Sequence, residues 1–248
     1  MRTSFISQRD QDENLAVVFV IYKVCFQKLF WLVITVFDNV LNPPLWAFWT
    51  LKSKKPLPPI SENLLLTSAA TLATKIRHKT VTSEAVVTTF INRIKQVNPI
   101  LNAVVEERFS FAIEEAKKVD HIIASDVHTT DKLKHMYPLL GIPITIKEAI
   151  SVSGMSNNGG MISSRLTNTP ELSLDWECYN NVTGTTSNPY DNRRTSGASS
   201  GGEAALIASA ASVIGIGSDA LGSLRLPTHF CGIFAHKPTG GIVSIEGH

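Results

Sequence analysis

The sequence lacks the features by which several common classes of protein are recognised. It holds three cysteines, Cys25, Cys178 and Cys231, which are too far apart to form a CxxC pair. This spacing argues against a disulfide framework or a zinc site and fits a reducing compartment. Charge of either sign is also not in excess, since 23 basic and 21 acidic side chains leave a net charge of +2. Without a basic stripe and interleaved aromatics, the chain is not expected to bind nucleic acid.

No apolar run reaches the roughly 18 uninterrupted residues that mark a simple membrane-spanning helix. Residues 15–51 come nearest, with two apolar stretches, 15–22 and 30–37, separated by Lys23 and Lys28. Polar positions recur at near-helical spacing and leave a narrow polar stripe on a broad apolar surface, as in a helix lying in or dipping into a membrane. Tryptophans and then lysines follow, as at a membrane interface: Trp46, Trp49, Lys52, Lys54 and Lys55.

This N-terminal segment therefore predicts association with a membrane, and we expect an intracellular one. Two other interpretations of the same pattern stay open: an amphipathic helix packed on its own domain, or one in the interface of a homodimer. A cleaved signal peptide fits less well, because the apolar region is long and no small-residue cleavage site stands out.

A stiff, proline-rich linker at residues 54–59 divides the chain. It ends an N-terminal segment of residues 1–60, and residues 61–248 form the expected domain. Helices alternate there with short apolar strands, which predicts an α/β sheet covered on both faces. The expected elements are a helix capped by Ser61 and beginning at Glu62, helices over 82–98 and 103–124, a strand over 139–147, a helix over 202–212 and a strand over 213–217.

Three polar residues lie at the edges of apolar, small-residue segments. Lys147 ends the first expected strand, Ser199 lies in the Gly/Ser-rich run 196–207, and Ser223 lies in a tight turn after the second strand. Open α/β sheets place their chemistry at strand ends. Each residue alone also has an ordinary interpretation: a surface lysine, a helix cap and a turn. The Gly/Ser run also resembles a phosphate cradle, but it lacks the Gly-Lys-Ser/Thr ending of a P-loop.

Together the three side chains are suited to nucleophilic catalysis. A serine hydroxyl is a weak nucleophile until a neighbouring group takes its proton. Burial lowers the pKa of a lysine, so Lys147 is a candidate base, with Ser199 as a proton relay and Ser223 as the nucleophile. The turn 220–223 would direct backbone N–H groups at a developing oxyanion. Asp219 and Arg225 are expected to be structural, as a pair that holds this turn.

Five segments of the chain resemble the amidase signature family, in the order and with the 24-residue serine spacing of that family. The N-terminal apolar segment and the Ile-Lys-Glu-Ala sequence at 146–149 resemble its fatty-acid amide hydrolase 2 branch. The resemblance covers residues 61–248. The five segments are 141–148, 187–191, 197–203, 219–227 and 230–239.

The resemblance implies an α/β amidase signature fold, a mixed sheet core covered by helices and incomplete in this chain. It implies Lys147 as the base, Ser199 as a cis-serine relay and Ser223 as the acylated nucleophile, with no metal or organic cofactor. The implied substrate is a fatty-acid amide or another lipophilic amide. The oxyanion donors would be the backbone N–H groups of the turn, those of Ala220, Leu221, Gly222 and Ser223. Three further residues would support the site: Ser200, Asp219 and Arg225.

Departures from the family pattern keep a second interpretation open. Leu221 and Ala198 stand where glycines are typical of the family, and a helix and strand are missing between Arg165 and Leu166. Family members also continue well past the position of His248. The alternative is therefore a catalytically inactive, shortened form that acts at most as a binding protein.

Overall fold

The computed structural model describes residues 22–151 and 167–243. Its contacts divide the chain into two compact units, Met1–Ser53 and Lys54–His248. The segment expected to act as a linker belongs to the second unit, where buried Arg93 donates hydrogen bonds from its guanidinium to the carbonyl oxygens of Pro58 and Pro59 at 2.9 and 3.2 Å.

The first unit contains helix α1, Tyr22–Leu51. Its 30 residues have a mean hydropathy of 1.5 over their most apolar window, and none of that window is buried. By length and composition α1 is able to cross a membrane, a property shared by signal sequences and by core helices of soluble proteins. The helix agrees with the expectation from sequence, and residues 15–21 of the expected segment lie outside the described residues.

A π-helical turn interrupts α1 at Phe37–Leu41. The N–H of Asn42 donates to the carbonyl of Phe37, five residues earlier, and two prolines follow at positions 43 and 44. Because proline has no N–H, the carbonyls one turn earlier lose their usual partners, and a wider turn is the accommodation.

The described part of the second unit contains six α-helices and four very short strands, which agrees with the expected α/β class. In chain order they are α2 (Ala69–Arg77), α3 (Ser83–Leu101), α4 (Phe109–Ala124), α5 (Thr130–Met136), β1 (Thr145–Ile146), β2 (Tyr179–Asn180), β3 (Gly184–Thr185), α6 (Gly201–Ala208), β4 (Gly215–Ile216) and α7 (Arg225–Phe230), with single 3₁₀ turns at Asn63–Leu66 and Glu171–Ser173.

Helix α3 is the central packing element of this unit. Thr82 caps it, since its hydroxyl oxygen accepts a hydrogen bond from the Ala85 N–H at 3.1 Å. Its apolar side chains enter three core clusters: Phe90 lies in the one shared with α2 and α5, Val97 in the one shared with α6, and Ile91 in a small one shared with α4. The helix ends at Asn102, whose backbone is left-handed at φ 52°.

The strands that position the site form a narrow mixed sheet. β1 and β4 are parallel, with Thr145 opposite Gly215 and Ile146 opposite Ile216. On the other side of β1, Thr167 bridges to Lys147 in parallel and to Val104 in antiparallel fashion. A separate antiparallel pair joins β2 and β3.

Several predicted bounds were wrong: the helix expected over 103–124 begins at Phe109, because Val104 pairs in a β-bridge, and the helix expected to end at 98 continues to Leu101. The helix expected over 202–212 ends at Ala208, and the strand expected over 213–217 pairs only at Gly215–Ile216.

Two further predictions failed because of the backbone. The first strand does not extend over 139–147, because Gly141 takes a left-handed φ of +82° and the chain turns before pairing at Thr145. Ser61 does not begin an α-helix; a 3₁₀ turn follows it, and Ser68 caps α2 by accepting a hydrogen bond from the Thr71 N–H. An apolar run at 139–147 and a capping residue type at Ser61 were both present, but the backbone formed the strand and the helix at later residues.

Helix α6 packs unusually close to the sheet at its first turn. A β-carbon added to Gly202 would lie 2.6 Å from the backbone nitrogen of Asn168 and 2.9 Å from the carbonyl oxygen of Ala103. Backbone atoms have little room to move aside, so glycine is required at this position. This contact fixes the start of α6, and the loop before it, against the strand segment at residue 167.

Candidate active site

Lys147 directly follows β1 and is fully buried. Its backbone N–H donates to the carbonyl of Ile216 at 2.8 Å, which continues the β1–β4 ladder by one residue. Burial lowers the pKa of Lys147 to about 8, against the opposing negative charges of Asp219 and Glu203. A substantial fraction of the amine is therefore neutral near pH 8, as a general base requires.

Ser199 is the principal partner of Lys147. The Lys147 Nζ lies 2.6 Å from the Ser199 Oγ, and the Ser199 side chain is fully buried as well. The Ala198–Ser199 peptide bond is cis. The positive φ that this loop needs falls on Gly197, at +78°, so Ala198 occupies its position without adopting a left-handed backbone.

Ser218 is a second hydroxyl on Lys147 that the sequence interpretation missed. Its Oγ lies 2.9 Å from the Lys147 Nζ. It is the second residue after β4, which places it beside the end of β1. Only this general position at a strand end is visible in the sequence, because the contact depends on the parallel pairing of two distant segments.

Ser223 lies close to the serine loop through its backbone. The carbonyl of Ser223 accepts a hydrogen bond from the Ser200 N–H at 2.9 Å. Ser200, at the start of α6, also donates from its hydroxyl to the carbonyl of Ser218 at 3.3 Å. Within residues 22–151 and 167–243, the Ser223 hydroxyl makes no hydrogen bond with Ser199. The structure thus joins Lys147 to Ser199 directly and Ser223 to the serine loop through main-chain contacts.

The turn that carries Ser223 is organised by Asp219, whose side chain is 1% exposed. Its carboxylate accepts hydrogen bonds from the backbone N–H groups of Gly222, Leu224 and Arg225, at 2.8, 3.1 and 3.1 Å. The Arg225 guanidinium donates twice to the same carboxylate, at 2.9 Å each. This pairing was expected from sequence, and it holds the pKa of Asp219 well below its usual range.

The expected oxyanion donors differ in what they contact. The Gly222 N–H donates to Asp219 and is therefore unavailable to an oxyanion in this arrangement, which corrects its predicted place among the four donors. In the described part of the chain, the N–H groups of Ala220, Leu221 and Ser223 donate to no protein group. The left-handed backbone of the turn falls on Gly222, at φ +124°, and the Leu221 side chain is 89% exposed.

Glu203 is a buried acid that the sequence interpretation also missed. It lies in the first turn of α6 and is 3% exposed. Burial raises its pKa to about 7, while hydrogen bonds from Thr145 and Thr167 and the charge of Lys147 act in the opposite direction. An acid directly after a glycine-rich loop, at the start of an alanine-rich helix, is the only sequence signal that marks it.

The family of the chain follows from comparison with known proteins. The profile of the amidase family matches residues 85–165 and 156–248, which together are more than half of the sequence.

The chain belongs to the amidase signature family.

Within that family the chain is similar to fatty-acid amide hydrolases, as the resemblance predicted. It is 46% identical over 214 residues to fatty-acid amide hydrolase 2-A of Danio rerio, over 77% of this chain and 40% of the relative. With fatty-acid amide hydrolase 2 of Homo sapiens the identity is 40% over 231 residues, covering 84% of this chain and 42% of the relative. The chain therefore spans about two fifths of the length of these curated relatives.

Solved structures of amidases share the fold. A fatty acid amide hydrolase structure superposes with a TM-score of 0.61 at 28% identity, over 66% of this chain and 32% of that one. The peptide amidase of Stenotrophomonas maltophilia gives a TM-score of 0.66 at 24% identity, over 73% of this chain and 42% of that one. The similarity to the fatty acid amide hydrolase structure agrees with the curated relatives, whereas the similarity to the peptide amidase supports the amidase fold alone.

Proposed function

We propose that this chain carries the reactive residues of a membrane-associated serine amidase that hydrolyses fatty-acid amides or similar lipophilic amides. The observation that carries the proposal is the buried contact of 2.6 Å between Lys147 Nζ and Ser199 Oγ. A lysine with a lowered pKa beside a buried hydroxyl is costly to the fold, and such arrangements concentrate at functional sites.

The proposed reaction begins with proton transfer through this contact. The neutral Lys147 amine takes the proton of Ser199, while Ser199 takes that of Ser223. The Ser223 oxygen then forms a bond with the amide carbonyl carbon. Backbone N–H groups of Ala220, Leu221 and Ser223 are the donors nearest in the chain to the oxyanion that develops.

The second half of the reaction returns the protons. The carbon–nitrogen bond breaks, and the amine leaves with the proton that Lys147 gives back through Ser199, which leaves an acyl ester on Ser223. Water then attacks the ester, and its proton passes to the same base. As the bond between the acyl carbon and the Ser223 oxygen breaks, the base returns this proton to that oxygen through Ser199, which releases the carboxylic acid and the free serine. No redox change occurs, and the chain's own residues supply every proton transfer.

The substrate class and the location rest on the relatives and on α1. The curated relatives are named as fatty-acid amide hydrolases. Amides with long alkyl chains partition into bilayers, and α1 is long and apolar enough to hold the enzyme there. An intracellular membrane is the proposed location, in keeping with the isolated cysteines of the sequence.

A catalytically inactive form is the second candidate. It is favoured by one observation: in the described residues the Ser223 hydroxyl makes no hydrogen bond with Ser199. Such a chain would keep the fold and the buried Lys147 but would not acylate its serine.

Labelling with a fluorophosphonate serine probe separates the two candidates. The full chain in detergent micelles is treated with the probe, and the adduct is mapped by mass spectrometry. Labelling at Ser223 that is lost in Ser223→Ala and Lys147→Ala, but kept in Ser125→Ala, supports the hydrolase, because Ser125 is an exposed serine far along the chain from the site. If the wild-type chain melts cooperatively yet takes up no probe, the hydrolase proposal is wrong for this chain.

Turnover is measured separately from labelling. Release of free fatty acid from a long-chain primary amide is compared with release of acetate from acetamide. The proposal expects the long-chain amide to be hydrolysed with the higher kcat/KM. Equal or lower efficiency with the long-chain amide would contradict the lipophilic substrate class.

A further inference from the structure

The carboxyl group of Glu203 connects the two elements that carry the proton-transfer pair. Its Oε2 accepts a hydrogen bond from the Thr145 hydroxyl at 2.6 Å, and its Oε1 accepts one from the Thr167 hydroxyl at 2.7 Å. Thr145 lies two residues before Lys147 on the same strand, and Thr167 forms the β-bridge to Lys147. One donor thus lies on the strand that leads into the base, and the other on the segment that bridges to it.

The helical side of the connection is equally direct. Glu203 lies four residues after Ser199, in the first turn of α6. One carboxyl group therefore ties the start of α6 to both β1 and the segment at residue 167. Residues two apart on a strand point to the same face, so Thr145 and Lys147 both direct their side chains toward α6.

Strand β4 also contacts the Glu203 carboxyl group, through a glycine that has no side chain to displace it. Gly215 pairs with Thr145 across the β1–β4 ladder. A β-carbon at Gly215 would overlap Glu203 Oε2. The buried acid is therefore packed among three strand segments and accepts two short hydrogen bonds from hydroxyl groups. An acid that only interacted with the dipole at a helix N-terminus would need neither the burial nor these hydrogen bonds.

We propose that Glu203 is a positioning residue for the base. Its carboxyl group holds the strand of Lys147 at hydrogen-bonding distance from Ser199, and its negative charge favours the protonated form of Lys147. This inference rests on the proposed function, since it assigns Glu203 a part in the same proton transfer. Burial raises the pKa of Glu203 to about 7, so the carboxyl group gains its charge just below the pH at which Lys147 loses its own.

The charged groups around Lys147 define what the test must separate. Three acidic or thiol groups influence its titration: Glu203 on α6, Asp219 in the loop after β4, and Cys178 immediately before β2. Asp219 is engaged by Arg225 and by three backbone N–H groups. Burial raises the pKa of Cys178 to about 11, so this thiol is neutral where Lys147 titrates. Glu203 is therefore the group whose charge changes in the relevant pH range.

The test is the pH midpoint of Ser223 labelling by the fluorophosphonate probe in the full chain. Glu203→Gln keeps the shape of the side chain and its capacity to hydrogen bond both threonines, but removes the charge. We expect the midpoint to move down by about half a pH unit or more, so that the variant reacts faster than wild type near pH 7. Glu84→Gln is the matched control, since Glu84 is the first-turn acid of α3 and pairs with Lys117.

An identical midpoint in wild type, Glu203→Gln and Glu84→Gln overturns the inference. If Glu203→Gln does not fold, Thr145→Val and Thr145→Ser replace it. Losing the hydroxyl makes Glu203 harder to ionise, so the valine variant is expected to lower the midpoint and the serine variant to restore it. Two equal midpoints there also overturn the inference.

A direct titration keeps this inference separate from the proposed function. The Cε resonance of Lys147 in ¹³C-lysine-labelled protein, assigned by its absence in Lys147→Met, reports the protonation of the amine without any catalysis. A lower titration midpoint in Glu203→Gln supports the coupling even if Ser223 takes up no probe. If Ser223 is labelled but the Lys147 resonance titrates alike in both proteins, the proposed function stands and the part assigned to Glu203 is wrong.

Discussion

The Nζ of Lys147 and the Oγ of Ser199 lie 2.6 Å apart, and neither side chain is exposed. A buried amine at this distance from a hydroxyl can only donate a hydrogen bond when it is protonated, whereas the neutral amine can also accept one. The direction of the bond, and with it the reactivity of the site, therefore depends on the pH range in which Lys147 titrates.

The first prediction is that labelling of Ser223 rises with pH. Burial lowers the pKa of Lys147 to about 8, so the neutral fraction grows about tenfold per pH unit below this value and levels off above it. We expect the second-order rate constant for the fluorophosphonate probe to increase about a hundredfold between pH 6 and pH 9. Lys147→Arg, which stays charged over this range, should show a low and flat profile. A flat profile in the wild type would contradict the assignment of Lys147 as base.

The second prediction separates function from stability at the same residue. Because the folded pKa of Lys147 lies below its unfolded value, the charged amine destabilises the fold. This cost is fully present below about pH 8 and disappears as pH rises toward the unfolded value near 10.4. Lys147→Met removes the charge with little change in volume. We expect labelling to fall more than a hundredfold while the melting temperature at pH 7 does not decrease.

A fall in both quantities for Lys147→Met would instead indicate that Lys147 acts as a structural residue. The control is Arg93→Met, at another buried cation that hydrogen bonds to the carbonyl oxygens of Ser209 and Pro58. Loss of Arg93 removes the donor to the buried Ser209 carbonyl and to the partly buried Pro58 carbonyl, so the melting temperature of this variant is expected to fall.

The third prediction concerns Ser218. Its hydroxyl supplies the second contact of Lys147 Nζ, at 2.9 Å. Ser218→Ala should leave Lys147 less well oriented and lower the labelling rate constant about tenfold, whereas Ser218→Thr keeps the hydroxyl and most of the rate. Ser209→Ala is the control, because Ser209 is a buried serine at the other end of α6 that donates to Leu206. Equal rates in Ser218→Ala and wild type would show that Ser199 alone orients the amine.

How far the sequence predicts this structure depends on whether a signal is local. A helix opening at Thr82 was predicted from an apolar face at helical spacing, and the structure confirms the buried face and shows that Thr82 is the cap. These signals act within one turn of helix and need no distant partner. The strand expected over 139–147 failed because apolarity alone does not show where Gly141 turns the chain.

The same distinction applies to the site. Lys147 and Ser199 could be selected from sequence because each stands out against small or apolar neighbours. Ser218 and Glu203 could not, since their contacts with Lys147 and Thr145 arise from packing between segments more than 50 residues apart. The engagement of the Gly222 N–H by Asp219 likewise depends on how the turn closes, which residue types alone do not determine.

The fourth prediction tests whether Asp219 holds the turn that carries Ser223. Its carboxylate accepts three backbone N–H groups and the Arg225 guanidinium, and its side chain is almost fully enclosed. Asp219→Asn directs an amide N–H at some of these donors, and we expect a loss of about 2 kcal/mol, seen as a melting temperature about 4–8 °C lower, with reduced labelling of Ser223.

The exposed partner should matter less to stability. The Arg225 side chain is 61% exposed, so Arg225→Met is expected to lower the melting temperature less than Asp219→Asn does. The pKa of Asp219 is held low, so its contribution is present above the unfolded pKa near 4 and is lost as pH falls through the folded value. Asp219→Asn should therefore lose less stability than wild type on acidification. An identical acid dependence in the two proteins would contradict this account.

The last prediction concerns membrane attachment through α1. The full chain is expected to stay with microsomes after carbonate extraction and to float with them in a sucrose gradient, which distinguishes membrane insertion from aggregation. The double variant Val33→Arg, Val36→Arg places two charges within α1, where each is expected to cost about 2.5–3.5 kcal/mol in a bilayer. We expect this variant to be released, whereas Ile60→Arg, the same kind of change at an exposed apolar position in the second unit, should remain bound. Release of the wild-type chain would contradict integral insertion, and retention of the double variant would show that α1 is not the anchor.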